Sequence, residues 1–146
     1  MSPQIEELIK NLQLKNTFKQ HNNPKAPTLA TLIKYVPEKI GKSEILNDIK
    51  ISALISEFPS MLRMSTWELI YSMNHDGCSM VTFYQKCAQY KTTLLVIQDS
   101  NGFVFGGLCN EQWRKMMSFY GTGENFLYTF KNTNDLKVFR WTGNDD

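Results

Sequence analysis

Cysteine and histidine are scarce in this sequence. Its three cysteines, Cys78, Cys87 and Cys109, are odd in number and contain no C-x-x-C pair. That excludes a disulfide framework and argues against a zinc knuckle. The two histidines, His21 and His75, stand far apart. No apolar run approaches the roughly 20 residues that span a bilayer. Met1-Ser2-Pro3-Gln4 lacks the basic-then-apolar pattern of a signal peptide. Net charge is only +2, and the lysines are scattered singly, which gives no argument for nucleic acid. Repeats and low-complexity runs are missing too. These absences suit a cytoplasmic protein in a reducing compartment, with no metal or cofactor indicated.

What is present suits one folded domain and an attached segment. A chain of 146 residues is near the length that buries roughly 68–70% of its unfolded surface, so its core needs no metal or disulfide. Charge is uneven. Residues 1–42 hold seven Lys and three Glu, whereas residues 43–146 hold nine basic and eleven acidic residues. The boundary is therefore set between a basic arm, 1–42, and a domain, 43–146. In the arm, Ile5, Leu8, Ile9 and Leu12 form one helical stripe over 4–15, with Ser2 and Pro3 as its start. Two prolines and two asparagines over 21–27 read as a linker, and 28–36 as a short apolar piece.

From residue 43 the signals are denser. Ser43 precedes a stripe of Ile45, Ile49, Leu54 and Ile55 that Pro59 stops, which predicts a helix. Residues 66–72 read as a strand and Asn74-His75-Asp76-Gly77 as a turn. Ser79 caps a predicted helix that runs to about Tyr90. Thr92–Ile97 and Phe103–Leu108 flank Asp99-Ser100-Asn101-Gly102, a hairpin with a four-residue connection. Asn110 is placed as the cap of a third helix over about 111–119, and residues 125–130 and 136–141 form a second hairpin. Adjacent hairpins with helices between them give an α+β fold containing antiparallel sheet. Phe103/Phe105 and Phe126/Tyr128/Phe130 each share a strand face, and both sets are expected in the core.

Catalytic constellations fail one by one. Gly121-Thr122-Gly123-Glu124-Asn125-Phe126 begins like G-x-G-x-x-G but lacks the third glycine and leads into a strand. Gly77-Cys78-Ser79-Met80-Val81 lacks the closing glycine of a nucleophile elbow. His75 near Cys78 is the best base–thiol pair on offer, with an exposed turn as the plainer reading. Glu68, Asp99, Glu111 and Glu124 show no spacing that demands a carboxylate pair, and Asp99 has a turn to form.

The segments Trp67-Glu68-Leu69-Ile70-Tyr71-Ser72, His75-Asp76-Gly77-Cys78-Ser79-Met80, Leu94-Leu95-Val96-Ile97-Gln98-Asp99 and Gly102-Phe103-Val104-Phe105-Gly106-Gly107 follow one another in order. Glu111-Gln112-Trp113, Tyr120–Tyr128 and Phe139-Arg140-Trp141-Thr142-Gly143 continue the series. Together they resemble the TLDc domain of oxidation-resistance proteins. The resemblance implies two antiparallel sheets packed as a sandwich with peripheral helices. It implies that Asp99 with Gly102 shapes a turn, that Gly106 and Gly107 permit a bulge or close approach, and that Gly121, Gly123 and Glu124 shape a loop. A TLDc domain continues past the Trp-Thr-Gly segment, so the domain is expected to be incomplete at its C-terminus. Either residues 103–108 or 125–141 are then expected to contact another chain, or the isolated chain is expected to be unstable.

Function follows from the resemblance rather than from a site. It implies a non-enzymatic protein-interaction module linked to oxidative-stress protection and to binding of the vacuolar-type proton ATPase. The polar loops Asn74–Gly77, Asp99–Gly102 and Gly121–Asn125 are the candidate contacts, and the basic arm is a candidate docking segment. The alternatives are a structural part of a cytoskeletal or ciliary assembly and, third, a thiol scavenger using Cys78 or Cys109. The expected location is the cytoplasm, at an organelle surface or within such an assembly.

Overall fold

In the computed structural model, residues 33–131 and 134–143 are described, so the predicted arm helix over 4–15 and the linker over 21–27 lie outside them. The elements run β1 (Lys39–Ile40), α1 (Asp48–Glu57), a 3-10 turn (Ser60–Leu62), β2 (Trp67–Glu68), α2 (Met73–Asp76) and α3 (Met80–Cys87). Then come β3 (Thr93–Gln98), β4 (Val104–Cys109), β5 (Phe126–Lys131) and β6 (Asp135–Arg140). The fold is α+β. β3-β4-β5-β6 form one antiparallel sheet in sequence order, while β1 and β2 make a separate parallel pair. That pairing draws Lys39 and Ile40, which precede Ser43, into the folded body.

Helix α1 starts later than the apolar stripe suggested. Asn47 is its cap, and its side chain accepts from the Lys50 N–H at 2.9 Å. Ser43 closes a turn of its own instead, accepting from the amides of Ile45 and Leu46. Ile51, Leu54 and Ile55 then recur at i, i+3 and i+4 on the buried face. Pro59 cannot continue the helix, and the Phe58 N–H bonds back to the Ile55 carbonyl. Helix α3 begins where predicted, with Ser79 accepting from the Thr82 N–H, but ends at Cys87.

The core lies between α1 and the inner face of the four-stranded sheet. Leu54, Ile55 and Phe58 meet Val104 and Leu108 of β4 and Phe126, Tyr128 and Phe130 of β5. Each fully buried side chain of this size contributes roughly 1.5–3 kcal/mol. Phe58 links the layers, stacking on Trp67 at 5.3 Å and meeting Phe126 edge-on at 6.0 Å. Arg140 of β6 ties down the end of α1, donating to the carbonyl of Glu57 at 2.8 Å and to its carboxylate at 2.9 Å.

Five expectations change. The strand expected over 66–72 is only Trp67–Glu68, because its partner β1 is two residues long. Asn74–Gly77 is a helical turn, α2, closed by Gly77 at φ +79°. No helix forms over 111–119; side chains there are held by tertiary hydrogen bonds described below. Phe103 and Phe105 are not core residues. Register puts Val104, Gly106 and Leu108 inward, which turns Phe105 to the opposite face. A helix, rather than a second antiparallel sheet, covers the inner face among the described residues.

Candidate functional site

The strand registers sort the candidate loops. Gln98 pairs with Val104 and Val104 with Phe130, so the Asp99–Gly102 turn sits at one end of the sheet. Thr93 pairs with Cys109 and Leu108 with Phe126, so residues 110–125 lie at the other end. The two groups of predicted site residues are therefore not brought together.

At the first end Asp99 acts as a turn former. Its carboxylate accepts from the amides of Asn101 and Phe103, each at 2.9 Å, and its carbonyl accepts from Gly102 at 3.0 Å. Gly102 supplies a φ of +85°. Both residues are occupied with holding the turn.

At the second end Asn110 organises the loop in place of capping a helix. Its backbone N–H donates to the Asn125 side chain at 2.8 Å, and its side-chain amide donates to the Glu124 carboxylate at 2.7 Å. The Thr92 hydroxyl donates to its amide oxygen at 2.6 Å. Trp113 donates to the Thr93 hydroxyl at 2.8 Å and packs edge-on against Phe83. Tyr120 closes the segment, its hydroxyl accepting from the Arg114 N–H and donating to the Arg114 carbonyl. Gly121 lies so close to Asn125 that a Cβ would stand 2.4 Å from the Asn125 amide nitrogen. Gly123 lies against the Trp141 ring. Gly121, Gly123 and Glu124 thus shape one loop.

Aromatic contacts link this loop to α2. Phe83 touches both Trp113 and Tyr71, and the Tyr71 hydroxyl donates to the Gly77 carbonyl at 2.6 Å. Asn74 donates to Glu44, and His75 Nε2 lies 3.8 Å from the same carboxylate. His75 therefore faces Glu44, and no hydrogen bond joins it to Cys78. Asp76 reaches back to the Ser72 N–H at 2.9 Å and accepts from Lys86 at 2.7 Å. The Lys86 ammonium and that amide hold its carboxyl below the usual carboxylate range.

Cys78 is exposed. Cys87 is buried and Cys109 half-buried, and burial pushes both thiols above their ordinary pKa, which lowers their thiolate content. Among the described residues no three His, Cys, Asp or Glu side chains converge as a metal site, and no helix is long and apolar enough to cross a membrane.

Two features lie outside the candidate loops; the first involves residues 103–108 and 125–141, expected from the sequence to contact another chain, and only the second escaped the sequence reading. The first is the outer face of the four-stranded sheet. Ile97 pairs with Phe105 and Leu127 with Phe139, and all four point away from α1. Leu127 is 66% exposed, Phe139 47% and Phe105 39%. The signal was present, since Phe-Leu-Tyr-Thr-Phe at 126–130 is apolar at both strand parities. The second is a half-open cleft of about 330 Å³, lined by Ile40, Trp67 and Leu69 at the β1–β2 pair and by Leu94 and Val96 of β3. It exists only because β1 and β2 meet across 26 intervening residues.

The sequence profile of the TLDc domain matches residues 39–146. Oxidation resistance protein 1 of Mus musculus is 32% identical over 145 residues, covering 97% of this chain and 16% of that protein. Oxidation resistance protein 1 of Xenopus laevis is 37% identical over 110 residues, 75% of this chain and 13% of that protein. Nuclear receptor coactivator 7 of Gallus gallus is 37% identical over 102 residues, 69% of this chain and 11% of that protein. The chain thus spans less than a fifth of the length of each of these relatives.

Proposed function

The chain belongs to the TLDc domain family, and from that premise we propose that it is a non-enzymatic protein-interaction module serving protection against oxidative stress. The observation that carries the reading is the uncovered apolar face of Ile97, Phe105, Leu127 and Phe139. Such a patch on a soluble domain marks a contact surface. The oxidative link rests on relatives that bear the name oxidation resistance protein 1. The vacuolar-type proton ATPase is the partner the resemblance implies, and the proposed site of work is then the cytoplasmic surface of an organelle. Polar groups of the candidate loops support a binding role over chemistry, since Asp99, Glu124 and His75 are each engaged in shaping or tethering their segments.

The test is peroxide survival of cells that carry the chain or its Phe105→Asp/Leu127→Asp variant, with the purified ATPase used for capture. The reading expects the variant to fold, to lose capture and to lose protection. Full protection by the variant would overturn it. The uncovered face also suits a structural part of a larger assembly. Stoichiometric co-fractionation with cytoskeletal or ciliary complexes, rather than with the ATPase, favours that second reading.

A further inference from the structure

We infer that the free edge of β3 receives an extended polypeptide strand of a protein partner, whose alternate apolar side chains seat in the cleft beside β2. The inference deepens the interaction-module reading and rests on it in taking the partner to be a protein.

The sheet has two edges, β3 and β6, and they are unlike. Edge strands are normally protected by charge, proline or a bulge. β6 carries Asp135, Lys137 and Arg140. β3 reads Thr-Leu-Leu-Val-Ile-Gln, with no charge and no proline, and its pairing to β4 runs unbroken from Thr93↔Cys109 to Gln98↔Val104. It is an undefended template with a continuous register.

The direction of its backbone groups is fixed by two bonds. The Asp99 N–H donates to the Phe103 carbonyl, so Asp99 belongs to a hydrogen-bonded pair with β4. The Leu95 carbonyl faces the same way, since it accepts from Tyr128, which lies beyond β4. Alternation along an antiparallel ladder then turns the N–H and C=O groups of Leu94, Val96 and Gln98 to the open side. No loop or turn backbone among the described residues bonds to them.

The cleft completes the fit. Leu94 and Val96 of β3 line it together with Trp67 of β2 and the adjoining Leu69. A strand added to β3 would lie about 4.8 Å away and present every second side chain to that space. Backbone bonding supplies affinity and the cleft supplies specificity, as in strand addition generally. A small molecule fits less well, because the polar groups form a row spaced by about 6.6 Å instead of converging on a point.

The test is amide hydrogen exchange of the full chain by NMR, with the synthetic peptide acetyl-Lys-Val-Thr-Val-Thr-Val-Lys-amide as probe. In the free chain the amides of Leu94, Val96 and Gln98 exchange roughly tenfold or more faster than those of Leu95 and Ile97. Peptide at millimolar concentration slows the three by a similar factor, and the same peptide N-methylated at alternate residues does not. Gln98→Pro, which removes an outward N–H, weakens the effect without unfolding the chain. Equal protection of all five amides in the free monomer, or no response to the peptide, would overturn the inference. Protection that rises with chain concentration alone overturns it in favour of a second copy. Leu127→Asp separates the two readings: it removes the outer-face contact and leaves the response of the edge unchanged.

Discussion

The Tyr128 hydroxyl of β5 donates a 2.9 Å hydrogen bond to the Leu95 carbonyl of β3, spanning the strand that lies between them. It passes over Gly106, which pairs with Tyr128 on one side and Val96 on the other. A Cβ at Gly106 would stand 1.9 Å from the Leu95 oxygen and 2.9 Å from the Tyr128 hydroxyl. The glycine is therefore required by a close approach rather than by a turn, and the phenol of a core residue gains a partner it needs when buried.

Gly106→Ala is expected to cost about 3 kcal/mol or more, because backbone on the neighbouring strand must move. Tyr128→Phe is expected to cost about 1 kcal/mol, the net worth of one hydrogen bond. The double variant is expected to cost little more than Gly106→Ala alone, since both changes break the same crossing. Urea unfolding of the four proteins measures all three values.

Burial pushes the Tyr128 pKa above its ordinary 10.0. A raised folded pKa means stability that is whole below the unfolded value and is lost as pH rises past it. The chain is therefore expected to lose stability above about pH 10, and Tyr128→Phe to lose less. Melting temperature against pH for both proteins checks this.

Asp76 gives the opposite sign. Lys86 and the Ser72 amide depress its folded pKa below 3.8. Its contribution is present above that value and is lost as pH falls through the folded pKa. Asp76→Asn is expected to remove this part of the acid limb while leaving the alkaline limb intact, read from the same melting curves.

Thiol reactivity should follow burial. Cys78 is expected to react first with iodoacetamide, Cys109 more slowly, and Cys87 only after unfolding, as mass spectrometry of peptides will show. If all three are changed to Ser and peroxide protection persists, thiol scavenging is removed from the account.

The two aromatic faces should respond differently. Phe126→Ala is expected to cost about 3–5 kcal/mol, as a buried side chain leaves a cavity. Phe105→Ala, on the open face, is expected to cost under about 1 kcal/mol in the isolated chain. Reversed values would show that the sheet presents its other face to the core.

The sequence by itself determined the local signals and the family. Asp99 and Gly102 are legible as a turn because both bonds of the Asp99 side chain close within four residues. Ser79 is legible as a cap for the same reason. The alternation of Phe126, Tyr128 and Phe130 marked a core face correctly. The helix over 111–119 failed because Asn110 and Trp113 satisfy their polar groups through partners the local pattern does not contain, Asn125 and Thr93, while the Tyr120 hydroxyl bonds to the backbone of Arg114 within the segment. Phe105 was misplaced because strand parity follows from register, and register was set by the packing of Val104 and Leu108 on α1. The β1–β2 pair, the cleft beside β3 and the crossing of Tyr128 over Gly106 each join residues far apart in the chain. Only tertiary packing could decide them, since it is core burial that brings those backbones within bonding distance.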